Sequence, residues 1–261
     1  MSGEQSVLHV NGVDVNVVDV GEGGPALVFL HFWGGSSRTW GPVIENLSRV
    51  ARCIAIDFRG WGRSNKDATD HELETLADDV IGVVDALRLE EFTIVGHSMG
   101  GKVAQLVAAR RPEGLKQLIL IAPAPPTSLG VPKEQRQGML ASYQAREGAE
   151  QVVGILAARP LSQAHREQVV EDILSGSPDA KRAWPEKGMT QDISAEASRI
   201  TVPVHVIVGG ADNIETEASL RAAFGKVVPG TEFTVLPGVG HLSPLEVPAE
   251  VVAAIGSAQV E

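Results

Sequence analysis

The sequence feature that most constrains the fold of this chain is the pentapeptide Gly96–Gly100, which reads Gly-His-Ser-Met-Gly. The run Glu91–Val95 before it predicts a short buried strand, and Lys102–Arg110 after it predicts a helix that ends before Pro112. Between a strand and a helix, this pattern places the serine on a strained turn with its hydroxyl exposed, and the glycines let the two backbones approach closely. Ser98 is therefore a candidate nucleophile.

A nucleophilic serine needs a general base and an acid that orients the base, and candidates for both follow along the chain. The stretch Val204–Asp212 predicts an apolar strand that presents Asp212 past its end. The stretch Phe233–His241 predicts a strand followed by a glycine-rich loop that ends in His241. The order serine, aspartate, histidine is one of three known orders for this triad. Glu215, with a longer side chain, is the alternative acid.

Four motifs follow predicted strands: His31–Gly35, Asp57–Ser64, Gly96–Gly101 and Gly238–Glu246. Together they resemble the α/β-hydrolase fold superfamily, in its branch of serine esterases, lactonases and cofactor-free haloperoxidases. The resemblance implies an α/β fold with a mostly parallel central sheet, helices on both faces and a helical cap. It also implies chemistry without a cofactor.

The same resemblance implies that the backbone N–H groups of Trp33 and Met99 form the oxyanion hole. The first motif departs from the family pattern, because Phe32 replaces the usual glycine. We hypothesise that Phe32 narrows the acyl side of the substrate pocket, so that short acyl groups are preferred. The alternative is that its ring packs in the core beneath the turn.

Strand-like runs stop within residues 123–198, which are similar to the cap that the family inserts before the acid-bearing strand. We therefore expect a core over residues 1–122 and 199–261 and a helical cap over 123–198. Candidate pocket residues from the cap, for each of which ordinary packing is an equally good interpretation, are Met139, Tyr143, Leu156, Trp184 and Met189. Helices are predicted over Lys133–Glu147, Gln151–Ala158 and Ala164–Leu174.

The remaining core alternates strands and helices, which indicates a mostly parallel sheet. Asn11-Gly12 between two alternating runs predicts a hairpin. Apolar residues at steps of three and four predict an amphipathic helix over residues 73–87, with Asp78, Asp79 and Asp85 on its solvated face. Continuous apolar runs predict buried strands over Ala26–His31, Arg52–Asp57 and Leu115–Ala122.

Other ionisable residues near the motifs have structural interpretations. Asp57 is interpreted as holding the turn Arg59–Ser64. His97 precedes the candidate nucleophile and is expected to point away from its hydroxyl, while His31 belongs to the first motif. The run His71–Glu74 lacks the second histidine of His-Glu-x-x-His, so no metal site is predicted.

Composition narrows the classes of partner and compartment. A net charge of −11 and a sequence pI near 5.1 argue against binding to nucleic acid or to an anionic membrane surface. The single cysteine, Cys53, excludes an intrachain disulfide and is compatible with a reducing compartment. Met1–Gln5 has neither the basic nor the apolar region of a signal peptide, so we expect a soluble cytoplasmic protein. The oligomeric state stays open.

These features favour hydrolysis of a small or medium, mostly apolar carboxylic ester or lactone. Cofactor-free haloperoxidase or perhydrolase activity and carbon–carbon bond hydrolysis would use the same triad and stay open. A signalling or receptor role is the alternative from a different class. A serine nucleophile argues against dehalogenases and epoxide hydrolases, which use aspartate there, and the chain has one tyrosine where epoxide hydrolases have a pair.

Overall fold

The computed structural model describes residues 4–258 and contains one eight-stranded sheet with the order β1-β2-β4-β3-β5-β6-β7-β8. β2 runs antiparallel to both of its neighbours, and the other five pairs are parallel, so the mostly parallel sheet is confirmed. The strands are β1 (Glu4–Val10), β2 (Val13–Val20), β3 (Ala26–Leu30), β4 (Cys53–Ile56), β5 (Phe92–His97), β6 (Leu115–Ile121), β7 (Val204–Gly209) and β8 (Glu232–Leu236).

Helices connect most of the parallel strands and fill the long connection between β6 and β7. The α-helices are α1 (Gly41–Leu47), α2 (Leu73–Ala86), α3 (Met99–Ala109), α4 (Lys133–Ser142), α5 (Arg146–Leu156), α6 (Gln163–Ser175), α7 (Pro178–Ala183), α8 (Ser194–Ala197), α9 (Glu217–Val227), α10 (Ser243–Glu246) and α11 (Pro248–Ala258). A 3₁₀ turn covers Ser37–Trp40, and a π-helical turn covers Trp184–Gly188.

Two clusters of buried apolar side chains cover the two faces of the sheet. Along β3, Val28 and Leu30 belong to the cluster that includes α2 and α3, whereas Leu27 and Phe29 belong to the cluster that includes α1 and α11. This alternation is what a strand buried on both faces requires, because successive side chains point to opposite sides. The carboxyl ends of the central strands are left free to carry functional side chains.

The predicted hairpin between β1 and β2 is present. Val10 pairs with Val13, and the two turn residues, Asn11 and Gly12, have φ angles of 48° and 76°. Positive φ at both central residues is the requirement of a type I′ turn, which asparagine and glycine meet at low cost.

The prediction for the exposed face of α2 is wrong at one position. Asp78 and Asp85 are exposed, but Asp79 is buried and pairs with the Arg59 guanidinium through two contacts of 2.6 Å. The partner comes from the turn after β4, which the periodicity of α2 cannot reveal. Asp79 therefore attaches α2 to that turn.

The segment between β6 and β7 contains α4 to α8, and none of its described residues joins the sheet. The prediction of a single helix over Lys133–Glu147 is wrong, because α4 ends at Ser142 and α5 begins at Arg146. Gly148 explains the break: a Cβ there would lie 2.5 Å from the Ser142 carbonyl oxygen, so only glycine lets α5 start this close to the end of α4. The division into core and cap stays a prediction.

Two expectations concern the ends of the chain and membranes. The expectations for the segment Met1–Gln5 and for the C-terminal end of the core fall partly on residues 1–3 and 259–261, which lie outside the described residues. Across residues 4–258, no helix is both long and apolar enough to span a bilayer.

Candidate active site

Ser98 lies on a strained turn between β5 and α3, as the pentapeptide predicts. Its φ and ψ are 54° and −117°, a conformation that few residues other than glycine adopt. The neighbouring glycines make the turn possible, since a Cβ on Gly96 would lie 2.7 Å from the Gly100 carbonyl oxygen. The Ser98 carbonyl accepts hydrogen bonds from the N–H groups of Gly101 and Ala124, and this fixes the turn at the end of the sheet.

Asp212 and His241, which follow β7 and β8, meet beside this turn. The Nδ1–H of His241 donates to Asp212 Oδ2 at 2.8 Å, and both side chains are almost completely buried. The other carboxylate oxygen accepts the backbone N–H groups of Ile214 and Glu215 at 2.8 and 3.1 Å. Both oxygens of Asp212 are therefore occupied, and the imidazole is held in the tautomer that leaves Nε2 free to accept a proton.

The backbone of His241 is fixed from two sides. Its N–H donates to the Leu156 carbonyl at 2.8 Å, and its carbonyl accepts the Nε2–H of His97 at 2.8 Å. His97 is fully buried, and burial, with a smaller effect of the nearby His241, holds its pKa well below the ordinary value, so it donates as a neutral ring. Its ring contacts the loop that carries His241, while the expectation that it points away from the Ser98 hydroxyl stays a prediction.

Sequence reasoning did not single out Glu246, although the residue belongs to the fourth motif. Glu246 Oε2 accepts the N–H groups of Gly240, Ala158 and Arg159 at 2.8–3.1 Å. It therefore joins the loop before His241 to the residues that follow α5. The sequence does not predict these three hydrogen bonds, because two of the donors lie 88 and 87 positions away from Glu246.

The hydroxyl of Ser98 does not bond to the imidazole of His241. Among residues 4–258, no hydrogen bond joins Ser98 Oγ to His241 Nε2, so of the two hydrogen bonds that a serine–histidine–aspartate triad needs, the structure contains the one between His241 and Asp212. Catalytic hydrogen bonds are often long without substrate and tighten in the bound complex. The hydroxyl can move by rotation about a single side-chain bond, since Ser98 remains partly exposed.

The motif that follows β3 forms a tight turn over Phe32–Gly35 and lies close to the start of α3, where a Cβ on Gly100 would be 2.5 Å from the His31 carbonyl oxygen. The Gly35 N–H donates to the Phe32 carbonyl at 2.9 Å, and Gly34 has a φ of 91°, which a type II turn requires at its third residue. The Nδ1–H of His31 donates to the same carbonyl at 2.7 Å, while the Phe58 N–H donates to His31 Nε2 at 3.1 Å.

The peptide group between Phe32 and Trp33 is therefore held through its carbonyl by two donors. Since the N–H of a trans peptide points opposite to its carbonyl, the Trp33 N–H points away from these donors. Within residues 4–258, neither this N–H nor that of Met99, the first residue of α3, has a hydrogen-bond acceptor. Burial lowers the pKa of His31 to about 4, which keeps the imidazole neutral while it holds the turn.

Phe32 itself is buried beneath this turn. Its ring centroid lies 5.2 Å from that of His97, and a Cβ on Gly35 would lie 2.7 Å from the Phe32 ring. This position favours the core interpretation of Phe32 over the hypothesis that it narrows the acyl pocket. The effect on acyl preference stays a prediction.

The candidate pocket residues occupy different positions. Tyr143 is buried against Trp33, and the Leu156 carbonyl accepts the His241 N–H. Trp184 lines a small cavity of about 10 Å³ together with Met99, the residue after Ser98. Met189 is buried and Met139 is half-buried, and both pack in the larger apolar cluster.

Glu215 is buried three residues after Asp212, and within residues 4–258 no hydrogen bond joins its carboxyl to His241. Burial, reinforced by the charge of Asp212, raises the pKa of Glu215 to about 9. Lys102, on α3, is fully buried nearby and donates to the carbonyls of Thr127 and Gln191 at 3.1 and 2.6 Å. Lys102 therefore joins α3 to both ends of the connection between β6 and β7, which we call the helical connection. No sequence motif marks this contact.

Asp57 has the structural surroundings that the sequence predicts. Its carboxylate accepts the N–H groups of Arg63 and Ser37 at 2.9 and 2.5 Å and the side-chain amide of Asn16 at 2.9 Å. Gly62 has a φ of 50°, and a Cβ there would lie 2.2 Å from the Asp57 carboxyl carbon. The turn after β4 is thus built around this carboxylate.

Comparisons with known proteins agree with this fold. Residues 27–254 match the family described as "Alpha/beta hydrolase family". The chain is 30% identical over 88% of its length to a dihydrolipoyllysine-residue acetyltransferase component of an acetoin cleaving system from Pseudomonas putida, of which it spans 62%. It is 27% identical to 3-oxoadipate enol-lactonase 2 from Acinetobacter baylyi, over 94% of the chain and 92% of that protein. An esterase from Exiguobacterium antarcticum has the same fold, with a TM-score of 0.90, 20% identity and coverage of 97% and 98%.

Proposed function

The chain belongs to the alpha/beta hydrolase family, and on that premise we propose that it hydrolyses a carboxylic ester or a lactone with Ser98, His241 and Asp212 as its triad. The observation that carries the proposal is the buried Asp212–His241 hydrogen bond of 2.8 Å next to a serine on a strained turn. The enol-lactonase similarity, which extends over nearly the whole of both chains, supports a cyclic or open ester as substrate.

In this mechanism, Ser98 Oγ attacks the substrate carbonyl carbon while His241 Nε2 takes the hydroxyl proton. The Asp212 carboxylate holds the imidazole and stabilises the imidazolium that forms. The alcohol leaves with the proton from His241, and water, deprotonated by the same nitrogen, then releases the acid from Ser98. A lactone follows the same steps, except that its alcohol stays attached to the acyl group.

The N–H groups of Trp33 and Met99 are the proposed oxyanion donors. Neither N–H has an acceptor in the part of the chain that the structure describes, so no existing hydrogen bond has to break when the negative oxygen develops. Removing one such donor costs about 2.7–4 kcal/mol of transition-state stabilisation in comparable sites. We also propose that residues 123–198 form the cap over this site. In that segment, Tyr143 contacts Trp33 of the Phe32–Gly35 turn, which we call the oxyanion turn, and Leu156 accepts the N–H of His241.

The test is labelling of Ser98 combined with turnover. We expect a fluorophosphonate probe to label wild-type protein at Ser98 and to leave Ser98→Ala unlabelled, with the melting temperatures of the two proteins equal. p-Nitrophenyl esters of increasing chain length, lactones and a vinylogous diketone form the turnover panel. Cleavage of the diketone alone would point to carbon–carbon bond hydrolysis, and labelling elsewhere would overturn the assignment of the nucleophile.

A further inference from the structure

Tyr143 lies in the connection between α4 and α5 and contacts the oxyanion turn directly. Its ring stacks on the Trp33 indole, with the ring centroids 3.6 Å apart and the planes 13° from parallel. Its hydroxyl donates to the Trp33 carbonyl at 2.9 Å. Only 3% of the residue is exposed, and burial raises the pKa of the phenol, so the hydroxyl remains a donor throughout the working pH range.

This contact acts on the residue that carries the proposed oxyanion donor. Trp33 lies between two peptide groups: the one before it supplies the N–H, and the one after it supplies the carbonyl that Tyr143 holds. The second peptide is the middle one of the Phe32–Gly35 turn, and rotation of the middle peptide is what distinguishes the common turn types. A hydrogen bond to its carbonyl opposes that rotation and so limits tilting of the neighbouring N–H.

The helical connection covers the turn at further points. A Cβ on Gly34 would lie 2.6 Å from the Tyr143 ring and 2.9 Å from the Ile173 side chain, so the turn and the helices are in close contact. One residue beyond the turn, the Ser36 hydroxyl donates to Asp172 of α6 at 2.9 Å. That second hydrogen bond also joins the segment after β3 to the helices between β6 and β7, but it involves neither peptide group of Trp33.

We propose that Tyr143 is a positioning residue for the oxyanion hole: its hydroxyl and ring hold the turn that aims the Trp33 N–H at the reacting carbonyl. The inference rests on the proposed function, since it assigns a role within that mechanism. It makes the helical connection part of the catalytic geometry, because the same contact that docks α4 and α5 also sets the direction of an oxyanion donor.

Tyr143→Phe removes the hydroxyl and keeps the stacked ring. We expect kcat for a p-nitrophenyl ester to fall about fivefold to tenfold, the kinetic equivalent of one hydrogen bond, with KM changed less than about twofold. An aryl trifluoromethyl ketone, whose adduct with serine places an oxyanion in the hole, should lose affinity by the same factor. Ser36→Ala is the matched control, because it breaks the neighbouring hydrogen bond to α6 and should leave kcat unchanged.

A second measurement does not depend on how the variants fold. Tyr143 is the only tyrosine of the chain, so 3-fluorotyrosine supplied during expression labels this position alone. We expect the ¹⁹F resonance to shift when the trifluoromethyl ketone adduct forms, because the oxyanion pulls on the turn that the phenol holds. Ser98→Ala, which binds the ketone but forms no adduct, is the control: an equal shift in that variant would report only the nearby inhibitor and would contradict the proposal.

Three results would each overturn the proposal without affecting the proposed hydrolase function. They are an unchanged kcat in Tyr143→Phe, equal losses of kcat in Tyr143→Phe and Ser36→Ala, and a ¹⁹F resonance that does not shift when the adduct forms. Failure of the proposed function looks different: wild-type protein would then cleave none of the esters or lactones, and the fluorophosphonate would not label Ser98. That outcome would remove both conclusions together.

Discussion

At the scale of single residues, the choice of the catalytic acid depends on which carboxyl reaches His241. Asp212 and Glu215 are three residues apart and both buried, but the imidazole Nδ1 hydrogen bond goes to Asp212. Glu215 contributes its backbone N–H to Asp212 rather than its carboxyl to the base. The geometry therefore separates the two candidates that the sequence leaves open.

Asp212→Asn and Glu215→Gln should consequently differ strongly in activity. The asparagine keeps the shape but favours the wrong imidazole tautomer, which in a comparable triad lowers kcat by about 10⁴. Glu215→Gln keeps the backbone N–H that donates to Asp212 and leaves the Asp212–His241 hydrogen bond in place, so we expect kcat within about threefold of wild type. Steady-state kinetics on one ester decide the matter. A large loss in Glu215→Gln with a small loss in Asp212→Asn would reverse the assignment.

Residue identities along the chain predict Ser98, Asp212 and His241 because strand ends and glycine-rich turns mark them. Asp79 and Tyr143 show the limit of such prediction. Asp79 lies off the apolar stripe of α2, and only folding brings Arg59 against it. Tyr143 carries no motif, and its contact with Trp33 spans 110 positions. Partners so distant in sequence leave no local pattern.

At the scale of elements, the break between α4 and α5 determines where Tyr143 lies. The polar run around residues 143–147 has good helix formers, so local propensity predicts one continuous helix. The structure ends α4 early because α5 packs back on it at Gly148. Tertiary packing here outweighs propensity, and it places Tyr143 on a connection from which it reaches the oxyanion turn.

Two glycines of α5 offer a matched test of this account. Gly148→Ala would place a methyl group 2.5 Å from the Ser142 carbonyl, so we expect a lower melting temperature and a lower kcat as Tyr143 is displaced. Gly154→Ala, in the same helix, meets no atom within 4 Å and should stabilise the protein by about 0.5–1 kcal/mol through helix propensity, without a change in kcat. Thermal melts and ester kinetics on both variants provide the comparison. Equal behaviour of the two variants would contradict the packing explanation.

At the scale of the whole molecule, two buried ionisable groups give stability an uncommon dependence on pH. Glu215 has its pKa raised from 4.5 to about 9, chiefly by burial, so the folded protein binds a proton there that the unfolded chain releases. Stability therefore falls as the pH rises between these values, by up to ~1.4 kcal/mol per pH unit. Burial lowers the pKa of Lys102 from 10.5 to about 8, and its contribution makes stability rise between about pH 8 and 10.5.

The difference between Glu215→Gln and wild type from pH 5 to 8 isolates the effect of Glu215, because the other buried groups with shifted pKa values, such as His31 and His97, are present in both proteins. Glutamine cannot bind the proton, so Glu215→Gln removes the pH-dependent cost and should become progressively more stable than wild type as the pH rises from 5 to 8. Denaturant unfolding at each pH unit measures the difference in free energy. Glu45→Gln, which removes a carboxylate from the exposed side of α1, is the control and should show a difference that does not vary with pH. A constant difference between Glu215→Gln and wild type over this range would mean that Glu215 is already ionised in the folded protein.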